Sequence, residues 1–194
     1  MSVQLPQLYE FTYRGHLAEE ALDGQGRTNR RLLNVADEDI ARALALDVLD
    51  DLHVANAKTT AIVYIAVAAF ENSVRALVTK TLMEKFQEGW WEKGAANGIR
   101  ERAKKRMEDE LVARWHTQRG QDPINYTTFG DLKSIMQNNW DAFEDLVGSL
   151  PWASGIFDVV ERSRNVIMHS GMLEKEDIER LGVNIRDWVK QVGA

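Results

Sequence analysis

At 194 residues the chain is long enough for one domain with a real core, and 44% apolar with 28% charged residues is ordinary for a soluble globular protein. A formal net charge of −6 excludes a global attraction for nucleic acid, so any such binding must come from a local patch. The absence of cysteine excludes disulfides, thiolate metal sites and cysteine nucleophiles, and with only three prolines long stretches are free to form helices.

Residues 1–35 read as an extended or loop-rich arm. Leu8–Tyr13 alternates in part like a short strand, and Gly24-Gln25-Gly26 marks a loop made basic by Arg27, Arg30 and Arg31. Met1–Pro6 shows no basic-then-apolar leader, so a cytoplasmic location is expected. The helical domain is expected over residues 36–194. Its first helix spans Asp37 to about Ala57, with Ile40, Leu44, Val48 and Leu52 recurring as a buried stripe. A second helix is capped by Thr59 or Thr60, or continues the first, and runs to about Lys85 on a stripe of Ile62, Ile65, Val74, Leu77 and Val78. The apolar run Ala61–Phe70 is far shorter than the ~20 residues of a membrane span, so no membrane is expected and the run reads as a helix buried on most sides. Glu71 and Arg75 stand at i, i+4 in the favourable acid-first order.

Gly89-Trp90-Trp91 interrupts that pattern. Gly98–Gln118 reads as a helix with an apolar seam of Ile99, Ala103, Met107, Leu111 and Trp115. Its basic side, Arg100, Lys104 and Lys105, is a candidate for contact with RNA backbone, although the interleaved Glu101, Glu108, Asp109 and Glu110 favour a solvated face. A loop follows over Gly120–Asn125, then one helix over Phe129–Val147, a break at Gly148–Pro151, and a helix from Ser154 to Met168 stopped by Gly171. Lys175–Val192 closes the chain as a helix burying Ile178, Leu181, Ile185 and Trp188.

The segment with most chemistry ends the penultimate helix: Arg164-Asn165-Val166-Ile167-Met168-His169. At about 100° per residue, Ile156, Val159, Val160, Ser163 and Ile167 share one arc that should face the core. Arg164 lies at its edge, and Glu161, Asn165, Met168 and His169 form an adjoining strip. A guanidinium matches a phosphate with its planar fork of donors, an amide orients a hydroxyl or a ring, and an imidazole moves protons near neutral pH. Such a set can cleave RNA without a cofactor: the 2′-OH loses its proton and attacks the adjacent phosphorus, and the leaving 5′-oxygen is protonated. One histidine does not serve as base and acid in the same step, so a second copy of the helix is expected to complete the site. The other histidines have no metal-ligand spacing, and no phosphate loop or dinucleotide fingerprint is present, so neither metal nor cofactor is expected.

At these residues the chain resembles the HEPN superfamily, whose members carry an R-x4-6-H motif in an all-α bundle. The likeness extends to Phe70-Glu71-Asn72-Ser73-Val74-Arg75, to Trp90-Trp91, and to Tyr126–Leu132 followed by Asn139-Trp140. In that order these segments resemble the branch found beside PIN nuclease domains in an RNA quality-control endonuclease. The resemblance implies a HEPN-like helical bundle forming a homodimer through its motif helices. It further implies metal-independent RNA cleavage in toxin or antiphage-defence systems, with an antitoxin or defence-system partner. By motif position Arg164 and His169 would be catalytic, with Asn165 beside them and Glu71 and Glu161 in support. Some members are inactive and serve as dimerisation or RNA-binding modules, which is the alternative here.

Overall fold

The computed structural model describes residues 37–193, and every regular element among them is a helix. The arm expected over residues 1–35, with its strand-like Leu8–Tyr13, lies outside the described residues. In chain order the helices are α1 (Asp37–Ala43), α2 (Asp51–Phe86), α3 (Trp90–Gly94), α4 (Asn97–Val112), α5 (Phe129–Asn138), α6 (Trp140–Val147), α7 (Leu150–Met168) and α8 (Lys175–Val192). The chain divides into two units at Val54, within α2; the described part of the first is residues 37–54, and the second runs from Ala55 to Ala194.

In the first unit the single helix expected from Asp37 to Ala57 is broken. Ala45 turns the chain in a left-handed conformation (φ 51°), and the Asp50 carboxylate accepts the N–H groups of Leu52 (2.9 Å) and His53 (3.3 Å). Asp50 is therefore a cap that starts α2, since its oxygens satisfy N–H groups that have no partner within the helix. The stripe of Ile40, Leu44, Val48 and Leu52 is exposed rather than buried. The helix then passes Thr59 and Thr60 without a break, and the Thr60 hydroxyl donates back to the Asn56 carbonyl instead of capping.

The core of the second unit is built on α2, which buries Val63, Val67, Phe70, Val74, Val78 and Leu82. Spacings of three and four residues keep these on one side of the helix. Ile62 and Ile65 stand off that side and are exposed, so the Ala61–Phe70 run buries one face only, contrary to the sequence expectation. An apolar run hides its own orientation, because the partners rather than the composition choose the buried face. The segment Asp51–Gly94 is long and apolar enough, by length and composition, to cross a membrane, yet its buried face belongs to the same core as α5, α7 and α8. Phe70 meets Phe129, Phe157 and Trp188 at ring separations of 5.9, 6.4 and 5.8 Å, joining those four helices.

Two expected helices are shorter than the sequence suggests. α4 stops at Val112, and Leu111 and Trp115, expected on the apolar seam, are exposed. The chain folds back there: Arg119 pairs with Glu110 (2.7 Å), and a 3-10 turn at Pro123–Tyr126 packs on α4. The helix expected over Phe129–Val147 is two, α5 and α6, parted at Asn139. That buried amide donates to the carbonyls of Gly94 and Ile135, both at 2.8 Å, so its side chain ties α3 to the break. Gly94 also packs closely on α2, since a Cβ there would stand 2.7 Å from Leu82 Cδ1.

The motif helix starts earlier than expected. Gly148 (φ 77°) makes the break, Ser149 caps α7, and Pro151 sits in its first turn, where a missing N–H costs nothing. At the other end the N–H groups of His169 and Gly171 both reach the Val166 carbonyl, at 3.3 and 2.9 Å. Ser170, not Gly171, takes the left-handed conformation (φ 61°). Gly171 is required for close approach: a Cβ there would lie 2.8 Å from the Val166 oxygen. Gly171→Ala is therefore expected to cost about 1–3 kcal/mol in urea unfolding, whereas Ser170→Gly should leave stability equal or higher.

Candidate functional site

α7 buries Ala153, Ile156, Phe157, Val160, Ser163 and Ile167 against the core, with Val159 half-buried. Arg164 lies at the edge of that arc, and Asn165, Met168 and His169 are exposed. Asn165 and His169, one turn apart, look the same way from the helix end. His169 is the residue that closes α7, so its backbone is fixed by the turn at Ser170-Gly171 while its ring faces solvent.

Arg164 reaches across to α2. Its Nε forms a 3.6 Å ion pair with Glu71 Oε2, and the other oxygen of Glu71 accepts from Arg75 Nη2 at 2.5 Å. The same nitrogen of Arg75 donates to the Thr127 carbonyl (3.1 Å), and Nη1 donates to Asn72 Oδ1 (3.2 Å). Glu71 thus sits between two guanidiniums, and its pairing with Arg75 is both the helical ion pair expected and the support for Arg164. Among the described residues no other side chain pairs with Arg164.

Arg164, Glu71 and Arg75 line a cavity of about 390 Å3 together with Arg106, Arg119 and Thr127. The half-exposed Tyr64 and Met168 line it as well, on the side facing solvent. Its charged lining is four arginines against one glutamate. The sequence offers Arg75 only as a helical ion pair, and Arg106 and Arg119 only as members of a basic stretch that could meet RNA backbone, not as neighbours of Arg164. They come from α2, from α4 and from the loop after α4, and only the fold-back at Glu110–Arg119 brings the last of them in.

The remaining candidates lie elsewhere. Glu161 packs against the first turn of α5, 3.7 Å from where a Cβ on Gly130 would stand, and its charge there favours a helix N-terminus. Arg100 bonds Asn97, Lys104 pairs loosely with Glu108 at 3.7 Å, and Lys105 is exposed; none of the three lines the cavity. Among the described residues no group of three or more His, Asp or Glu side chains is placed to hold a metal ion.

The back of the cavity is held by Asp131. This buried carboxylate closes a capping box with Thr128 at the start of α5 and accepts from Arg102 (2.5 Å) and Arg106 (3.3 Å). Burial alone would raise its pKa. The hydrogen bonds from the Thr128 backbone, Arg102, the Thr128 hydroxyl and Arg106 outweigh that and hold it below the usual carboxylate range. Arg106 in turn donates to the Tyr126 carbonyl at 2.6 Å, and Tyr126 donates through its hydroxyl to Gly120. One nitrogen of Arg106, Nη1, therefore has two acceptors, the Tyr126 carbonyl and the Asp131 carboxylate.

Compared with known families, residues 66–193 match the family model described as Swt1-like HEPN. No curated protein and no solved structure matches the chain.

Proposed function

This chain belongs to the Swt1-like HEPN family, and on that footing we propose that it is a metal-independent endoribonuclease working as a homodimer through α7. The observation that carries the reading is the seating of Arg164 against Glu71 at an arginine-lined cavity, with His169 exposed on the same helix end. Arg164 holds the scissile phosphate and offsets the charge that develops on it. His169 takes the 2′-OH proton or protonates the leaving 5′-oxygen, and the partner copy's histidine performs the other transfer. Asn165 orients the hydroxyl or the ring, and Glu71 fixes the angle of Arg164. The exposed apolar side chains Tyr64, Val166 and Met168 around this site favour coverage by a second copy. A cytoplasmic role in toxin or antiphage systems, with an antitoxin or defence partner, follows from the superfamily resemblance.

The experiment is a solution mass measured together with cleavage of total RNA in EDTA. A dimer that cuts with EDTA present is expected. Cutting that stops with EDTA and returns with magnesium would overturn the metal-independent mechanism.

A second reading, an inactive RNA-binding module, is favoured by one observation: His169 stands outside the cavity that Arg164 lines. It predicts salt-sensitive RNA binding that survives His169→Ala and yields no product.

A further inference from the structure

We propose that the cavity formed by Arg75, Arg106 and Arg119 is a second phosphate subsite, taking the phosphodiester next to the one held by Arg164. This rests on Arg164 receiving an RNA phosphate, as argued above, and adds where the neighbouring nucleotide goes.

Charge is the first argument. Arg75, Arg102, Arg106, Arg119 and Arg164 are in ion pairs with only three carboxylates, Glu71, Glu110 and Asp131, so these residues together have an excess of two positive charges in an acidic protein. Glu110 and Asp131 do not line the cavity; they hold Arg119 and Arg106 from outside it. Arg106 and Arg119, braced by carboxylates outside the cavity, need not reorganise to meet a bound anion, whereas Glu71, which braces Arg75 and Arg164, lines the cavity itself.

Shape is the second argument. Arg75, Asn72 and Asn125 also line a larger open groove of about 800 Å3 along α2, which continues past Ala76 and Met83. A free anion needs only the cavity. A cavity lined by Arg164 that has Asn72, Arg75 and Asn125 in common with a neighbouring groove fits a chain running from one to the other. The groove is apolar at Met83 and Ile124 and amide-bearing at Asn72 and Asn125, which suits a nucleoside attached to the held phosphate, while Glu84 and Asp122 against Lys80 on its walls leave no charge there for a further phosphate.

The test is binding without cleavage, so it is independent of whether the enzyme cuts. Uncleavable 2′-deoxy dinucleoside monophosphates are compared with the same ligands carrying an added 5′- or 3′-terminal phosphate, with all four bases. At one of the two ends the added phosphate is expected to tighten wild-type binding about tenfold. Arg119→Gln should abolish that gain and leave the affinity of the one-phosphate ligand unchanged; Arg164→Gln should weaken the one-phosphate ligand itself. Arg119 is half-exposed on a loop, so the substitution spares the core, and Arg119→Lys should retain part of the gain. A gain that persists in Arg119→Gln, or a loss equal for both ligands, overturns the subsite. Orthophosphate binding that depends on Arg119 while the terminal phosphate adds nothing would make the cavity a free-anion site and overturn the assignment to the chain. Absence of cleavage by a wild-type protein that shows the gain would strike the ribonuclease reading alone.

Discussion

His169→Ala is expected to lower RNA cleavage by about 10²–10⁴-fold, the usual loss when a positioned acid or base is removed. The imidazole is exposed at the end of α7 and outside the core cluster, so the thermal midpoint should stay within a degree or two of wild type. A rate loss with an unchanged melting profile separates chemistry from folding. Arg164→Ala should produce a loss of similar size, and Arg164→Lys should recover little of it, because an ammonium keeps the charge but not the planar fork. Glu71→Gln acts differently. It leaves Arg164 in place but unbraced, so a smaller fall in kcat is expected, with RNA affinity held or raised as a negative charge leaves the cavity. Cleavage that persists in both His169→Ala and Arg164→Ala would remove the motif from the mechanism.

Asp131→Ala is expected to cost about 2–4 kcal/mol in stability, because the substitution removes a helix cap and leaves two guanidiniums without their shared carboxylate. The pH dependence has a definite sign. The folded state holds the Asp131 carboxyl below its ordinary value, so its contribution is fully present above the unfolded pKa of ~3.9 and is lost as pH falls through the lower folded value. Wild type should therefore lose stability below about pH 4 more steeply than Asp131→Asn, as read by urea midpoints across the acid range. Curves that stay parallel would show that Asp131 is not a source of that stability. The same substitutions leave Arg106 held by the Tyr126 carbonyl alone, so they should also weaken RNA binding, though Asp131 does not line the cavity.

The motif helix was the best-read part of the chain, because α7 is amphipathic and its buried partners obey the helical period. Ile156, Val160, Ser163 and Ile167 are buried, Arg164 is at the edge, and Asn165 and His169 face out, as the wheel requires. The closing helix Lys175–Val192 was legible for the same reason, although Ile178 remains partly outside. α2 was misread where its composition is apolar all round, since Ile62 and Val63 look alike to a periodicity argument and only tertiary packing buries the second. The breaks at Asp50 and Asn139 each depend on the hydrogen bonds of one side chain, and one of those bonds reaches a carbonyl far away in sequence at Gly94. Such bonds leave no periodic trace. The cavity was illegible for a related reason: Arg75, Arg106 and Arg119 look like solvated helix or loop charges until the fold-back after α4 brings them to one wall.

The chemistry of the cut ends tests the central claim most directly. Wild-type protein incubated with single-stranded RNA in EDTA should release fragments ending in a 2′,3′-cyclic phosphate, with 5′-hydroxyl ends on the other side of each cut. Those ends record attack by the 2′-OH on the adjacent phosphorus. Fragments with 3′-hydroxyl and 5′-phosphate ends would record attack by water instead and would contradict the account.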